Sequence, residues 1–286
     1  MHALATEFAA NPTLTREWLS GVDLEWGTEK LIDRNKGIWN PRSYAATLTI
    51  VSNPDSEYDD GDHDGSLYRY SYERQPPGKD PQGGTNRKLR EAMRLNLPIV
   101  MLRKVSTGHY VPIMPVYVVK DEPEHKRFLL AVDESLRFLP DPSKQTDEQK
   151  RYAERVIRQR LHQPAFRARV LTAYQEKCAV CILKKVPLLD AAHITADSED
   201  SGLPNVTNGI TLCKIHHAAY DENILGISPD YVVHINDAVL HEVDGPMLDH
   251  GLQKMHKGKL WIPRRAEDRP DPDRLAIRFD KFKAAG

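Results

Sequence analysis

Apolar and polar positions follow two different rhythms along this chain. Between residues 24 and 132 the rhythm is mostly that of strands: residues 44–51 are apolar and β-branched, 67–72 alternate, 98–103 form a short apolar run, and 110–120 another. One helical period interrupts it, with Leu89, Ala92 and Met93 predicting a helix over 85–95. The stretch 75–84 is too rich in Pro and Gly for regular structure, and the residues before about 15 read as a loosely held entry. Several strands with one helix predict a curved sheet or barrel.

Pro140 and Pro142 break the pattern, and a long helical stretch follows over 147–162. A second helix runs over 163–174 with Phe166, Val170, Leu171 and Tyr174 on one face. Beyond it, 231–235 and 260–263 read as short strands and 272–283 as a closing helix. The fold class expected is α+β, divided into a first domain at 1–140, a helical linker at 141–162 and a second domain at 163–286. There is no internal repeat and no low-complexity segment.

The length of 286 residues accommodates two modest cores, and 40% hydrophobic with 28% charged residues is ordinary for a globular protein. No apolar run approaches the ~20 residues that span a bilayer, and the N-terminus lacks the charged and apolar regions of a secretory leader. A cytoplasmic protein with no membrane partner is expected. A net charge of −1 does not announce a nucleic-acid binder. Local sorting changes that picture: residues 79–104 include Arg87, Lys88, Arg90, Arg103 and Lys104, candidates for phosphate contact, and 144–169 carry a further basic set. Solvated helix faces are the plain alternative for both.

All three cysteines fall within 174–226. Cys178-x-x-Cys181 and Cys213-x-x-His216 are two half-sites about thirty residues apart, which can supply the four ligands of a tetrahedral structural Zn²⁺. A redox reading of the Cys-x-x-Cys pair lacks any thioredoxin-like surroundings. His193, Asn208 and His217 are left over. Adjacent helical residues diverge by about 100°, so His216 can face the zinc while His217 faces elsewhere.

The run Tyr174-Gln-Glu-Lys-Cys-Ala-Val-Cys181, Leu189-Asp-Ala-Ala-His-Ile194, Asn208-Gly-Ile-Thr-Leu-Cys213 and His216-His217-Ala-Ala-Tyr-Asp221 resembles the HNH nucleases of the ββα-metal fold over about 160–283. The resemblance implies that His193 is the general base, that His217 ligates a catalytic divalent metal (Mg²⁺ or Mn²⁺), and that Asn208 ties the intervening loop. Ala192 stands where many members carry a ligating Asp. Asp190 and Asp221 are the candidates for that second ligand; otherwise His217, water and phosphate hold the metal. A zinc ribbon without catalysis, with His193 as a core residue, is the rival reading.

Residues 58–71, then Gly83-Gly-Thr-Asn86-Arg-Lys-Leu89, 98–100 and 110–119 resemble the SRA domain. That resemblance implies a curved PUA-like β-barrel that flips a modified cytosine out of double-stranded DNA. Tyr58 and Tyr70 would be its aromatic plates, and Ser71 a hydroxyl on the base edge. Asp60 or Asp62 would accept from the cytosine amino group, since Gly61 stands at the aligned place. An acidic surface loop is the alternative. Together the two resemblances imply a restriction endonuclease dependent on 5-methylcytosine or 5-hydroxymethylcytosine, acting as a homodimer because one HNH site cuts one strand. The alternatives are an HNH nuclease reading unmodified DNA or RNA, and a zinc-stabilised, non-catalytic DNA-binding regulator.

Overall fold

The β-branched and alternating runs pair into one sheet. In the computed structural model, which describes residues 1–53, 61–63, 66–139, 144–197, 199 and 201–285, the chain splits into two units, Met1–Ala165 and Phe166–Gly286. The first unit begins with helix α1 (His2–Ala10), strand β1 (Leu14–Thr15), a short helix α2 (Arg16–Leu19) and the hairpin β2 (Val22–Leu24) and β3 (Gly27–Glu29). Strands β4 (Ile38–Trp39), β5 (Thr49–Ser52), β6 (Gly61–His63) and β7 (Leu67–Ser71) follow, then helix α3 (Gly84–Arg94). Strands β8 (Ile99–Ser106), β9 (His109–Glu122) and β10 (Arg127–Ala131) and helix α4 (Asp147–Ile157) complete it.

The sheet order is β4-β5-β8-β9-β10-β7-β6, with β1 pairing the outer part of β9. Register shifts in the β8–β9 and β9–β10 ladders mark bulges, which bend a strand and increase its twist. The result is a curled sheet. Its end strands β4 and β6 do not pair with each other among the described residues, which form a curled half-barrel. Gly108 supplies the positive φ of 76° that the tight β8–β9 turn needs.

Strand β8 explains why 98–103 reads as continuously apolar. Ile99 and Met101 enter one core with Tyr68, Tyr70, Leu89 and Phe128, while Val100 and Leu102 enter another with Leu4, Leu14, Leu19 and Ile32. Both faces are covered, so alternation disappears. The second core also orders the N-terminus, contrary to the loose entry expected: Leu4 of α1 is buried and Leu14 pairs with Tyr110. Leu4 is the only fully buried residue of α1, with Ala3 and Phe8 packed partly beside it, too little to set a clear period.

Helix α4 starts with a capping box between Thr146 and Gln149. It passes into a π-helical turn, Arg158–His162, and this stretch sends Ala153, Ile157 and Leu161 into the first unit's core. The second unit takes its core from Phe166, Val170 and Leu171 of helix α5 (Gln163–Ala173) and from the hairpin β11 (Leu189–His193) and β12 (Gly209–Cys213). It continues with helix α6 (Lys214–Asp221), the hairpin β13 (Leu225–Ile227) and β14 (Val233–Ile235), helices α7 (Asp237–Leu240) and α8 (Pro246–Gly251), and helix α9 (Pro272–Ala285). Residues 260–263 form no strand; one isolated bridge, Val232 to Lys259, lies beside them. No described helix is long and apolar enough to cross a membrane.

Candidate active site and metal centre

Three thiols and one imidazole converge beneath the hairpin. The ligand atoms of Cys178, Cys181, Cys213 and His216 all lie within 4.8 Å of one another. Around a tetrahedral Zn²⁺, bonds of about 2.3 Å to sulfur and 2.0 Å to nitrogen put sulfurs ~3.8 Å apart and sulfur and nitrogen ~3.5 Å apart. Here Cys181 Sγ is 3.9 Å from Cys213 Sγ, and His216 Nδ1 is 3.4 Å from Cys178 Sγ and 3.1 Å from Cys213 Sγ. His216 Nε2 lies 2.7 Å from the Gly251 carbonyl, a partner that keeps the proton on Nε2 and frees Nδ1 to ligate.

Without a cation between them, the four donors crowd one another's protons. Hydrogen bonds from Cys178 and Cys181 pull the Cys213 thiol far down, while Cys181's own bonds to Cys178 and Cys213 push it far up. Burial pulls His216 down, but its hydrogen bonds to Cys178 and Cys213 outweigh that and lift it to about 10. Sulfurs packed this closely must share protons or a cation, and the soft donor set suits zinc.

The hairpin carries the second group. In the register of β11 and β12, His193 faces Gly209 and Asp190 faces Leu212. A Cβ on Gly209 would lie 2.5 Å from Val170 and 2.8 Å from Phe166, so only glycine lets α5 approach so closely. That approach seats the Phe166 ring on the His193 imidazole, with centroids 4.1 Å apart and planes 18° from parallel. His193 Nε2 is buried with no hydrogen-bond partner among the described residues. Burial lowers the pKa of His193, Asp197 and Asp221 act to raise it, and His217 acts to lower it; the net shift is downward.

Asn208 is fully buried and spends its side chain on the connection between the two strands. Its Nδ2 donates to Thr195 O at 3.0 Å and Leu203 O at 3.1 Å, and its Oδ1 accepts from Thr195 N at 2.8 Å. These bonds begin two residues past His193.

His217, one residue past the buried His216, projects from α6 between two carboxylates. Its Nδ1 is 3.9 Å from Asp190 and its Nε2 3.4 Å from Asp221. The two acids therefore face opposite ring nitrogens. Asp190 already carries Lys214 at 2.7 Å and Arg167 at 3.5 Å. Burial would raise its pKa, yet Lys214, the Ala191 amide and His217 hold it below the usual carboxylate value. Asp221 is largely exposed and has only His217 beside it among the described ion pairs. Asp221 with His217 Nε2 is thus a nitrogen–oxygen pair at the exposed end of the site.

Sequence reasoning did not single out Phe166 as a support for His193, Arg167 and Lys214 as partners of Asp190, or Asp197 as a charge near His193. Asp197 had a signal, being an acid four residues past His193. The Gly251 carbonyl had none.

In the first unit, Tyr70 is buried and its hydroxyl donates to the carbonyls of Gly37 and Val51. Ser71 ends β7 opposite Arg127, and Asp62 lies opposite Tyr68 in the β6–β7 register. Tyr58 and Asp60 lie outside the described residues. Arg90 is turned inward onto Asp121 (2.6 Å), Tyr72 and the Gln82 carbonyl. Lys88 donates to the carbonyls of Pro41 and Tyr44, Arg87 is exposed, and Arg103 and Lys104 are half-buried on β8.

Residues 178–228 match the model of a family described as HNH endonuclease, which covers the zinc cluster, the hairpin and α6. This segment is an HNH endonuclease domain. No curated protein sequence matches the chain. Among solved structures, the chain is similar to the modification-dependent TagI restriction endonuclease at 17% identity, covering 86% of this chain and 85% of that one, with a TM-score of 0.30. It is also similar to the SUVH5 SRA domain in complex with methylated CHH DNA at 18% identity, covering 35% of this chain and 74% of that one, TM-score 0.28. A third is the type IV phosphorothioation-dependent restriction endonuclease ScoMcrA at 15% identity, covering 86% of this chain and 57% of that one, TM-score 0.28.

Proposed function

We propose that, built on this HNH endonuclease domain, the chain is a modification-dependent DNA endonuclease. Its first unit reads 5-methylcytosine or 5-hydroxymethylcytosine by flipping the base, and its second unit hydrolyses the phosphodiester backbone. The observation that carries the nuclease half is His193 at the end of β11, stacked on Phe166 with Nε2 enclosed, where burial favours its neutral ring. A histidine that resists protonation is available as a base near neutral pH.

Nε2 of His193 is enclosed, so Nδ1 is the nitrogen that accepts. It takes a proton from water as the water oxygen bonds to phosphorus and the bond to the 3′-oxygen breaks. Phe166 holds the ring plane and Asn208 the backbone beyond it. His217 Nε2 and Asp221 would hold the divalent cation, which when bound neutralises charge on the phosphate oxygens. Cys178, Cys181, Cys213 and His216 would hold structural zinc. Asp190 serves as the anchor of Lys214 and Arg167.

The reading half is supported by the SRA-like motifs and by the curled sheet with α3 against it. Tyr58 and Tyr70 would sandwich the flipped base, with Asp60 or Asp62 on its amino group. Two chains would act together on the two strands.

Magnesium-dependent cleavage of one plasmid, prepared with unmodified, methylated or hydroxymethylated cytosine, tests the reading. Cutting confined to modified DNA is expected. Equal cutting of all three removes the modification dependence, and no cutting by folded, zinc-loaded protein favours a regulator.

A further inference from the structure

Several cations of the second unit are paired, while others, Lys257, Lys259 and Arg264 among them, are exposed with no ion pair among the described residues. Lys254, Lys281, Lys283, Arg265 and Arg274 each sit on a carboxylate. Lys184 and Lys185 are exposed and have no ion-pair partner among the described residues. The backbone brings a third lysine to them. The Cys178 amide donates to Leu183 O at 3.0 Å, closing the turn through Cys178 and Cys181, so Lys177 and Lys184 leave that turn side by side. Lys177 Nζ lies 4.5 Å from the centre of the Trp261 ring, and the Trp261 amide donates to Ala179 O at 2.8 Å. Trp261 thus holds the Lys177 ammonium, which also donates to Gln175 Oε1 at 3.1 Å.

This patch leads toward the cleavage residues. From Lys185 the chain turns through Val186–Leu188 into β11, which ends at His193. Arg167 grips that turn through the carbonyls of Val186 and Leu189, and with Lys214 it meets the single carboxylate of Asp190. Two cations on one acid leave the stretch positive. The acids of the unit lie mostly elsewhere, with Glu176 the one acidic neighbour of Lys177 in sequence.

We infer that the tip of the metal-binding turn, Lys177, Lys184 and Lys185, is a contact for the phosphate backbone of duplex DNA, feeding it along β11 to His193. This rests on the nuclease reading of the same domain. Such a contact acts through charge and is indifferent to base identity and modification.

The test uses the full chain with His193→Ala, which leaves the DNA intact, and measures binding by fluorescence anisotropy to matched duplexes with and without one modified cytosine, across a salt series. Lys177→Ala/Lys184→Ala/Lys185→Ala should weaken binding to both duplexes by one common factor, on the order of tenfold or more near 0.1 M salt, and flatten the slope of log Kd against log salt by about 2 to 3, at ~0.9 per lost phosphate contact. Lys184→Glu/Lys185→Glu, which leaves Lys177 on Trp261, should do the same with zinc content and melting unchanged. An unchanged slope in that folded variant overturns the inference and assigns the patch to another partner; weakening on the modified duplex alone overturns it too. A parent protein that binds both duplexes equally sinks the modification reading while the slope still decides the patch.

Discussion

Asn208→Ala should loosen the catalytic domain at one defined place. The side chain is fully buried and makes three hydrogen bonds, all to backbone groups of the 195–203 connection. Alanine leaves the Thr195 amide and the Thr195 and Leu203 carbonyls without that partner. Each bond is worth roughly 0.5 to 1.5 kcal/mol net, and stripped groups that stay buried cost more, so a loss of about 2 to 4 kcal/mol is expected. For a unit of this size that lowers its melting transition by roughly 10 °C. Asn208→Asp is the sharper probe. It keeps the acceptor for the Thr195 amide but turns an oxygen toward two carbonyls 3.0 and 3.1 Å away, so it should destabilise at least as much despite equal size. Thermal scans, with hydrogen exchange over 194–208, measure this, and cleavage should fall while zinc content holds. A shift under about 2 °C with wild-type cleavage would refute the claim that this side chain positions His193.

For His193, the pH profile of cleavage should have its acid limb below the ordinary histidine value of 6.5, because burial favours the neutral ring. The folded state binds fewer protons than the unfolded one in that window, so stability should also fall as pH drops through 6.5 toward the lowered folded value; a limb above 6.5 contradicts the burial argument. His193→Ala should abolish cutting with DNA binding and zinc retained. Stripping zinc with a chelator should unfold the second unit as seen by circular dichroism, with recovery on added Zn²⁺ but not Mg²⁺, and Cys213→Ser should unfold it without such recovery. Asp221→Ala should raise the Mg²⁺ concentration needed for half-maximal cleavage about tenfold, and Asp190→Ala should leave it nearly unchanged while weakening DNA binding less than twofold. The reverse order would move the metal to the Nδ1 side of His217.

What could be read from the chain alone were features whose partners lie close in sequence or repeat with a period. Zinc ligands come as two local pairs, three residues apart, so their geometry is nearly written in their spacing. The strand run at 98–103 announced itself because both of its faces are apolar, and α3 because Leu89 and Ala92 share a face. Tertiary structure decided the rest. The register of β9 brings Asp121 onto Arg90, thirty-one positions away, and turns inward a cation that had looked available to DNA. Helix α1 is ordered by Leu4, with Ala3 and Phe8 packed beside it. At the site, the sequence named His193, Asn208 and His217, but the approach of α5 over Gly209 sets the ring on Phe166, encloses Nε2 and lowers its basicity. The opposite faces of His217 separate Asp190 from Asp221. Spacing along a chain fixes what neighbours can share; desolvation and charge pairing depend on residues that meet only after folding.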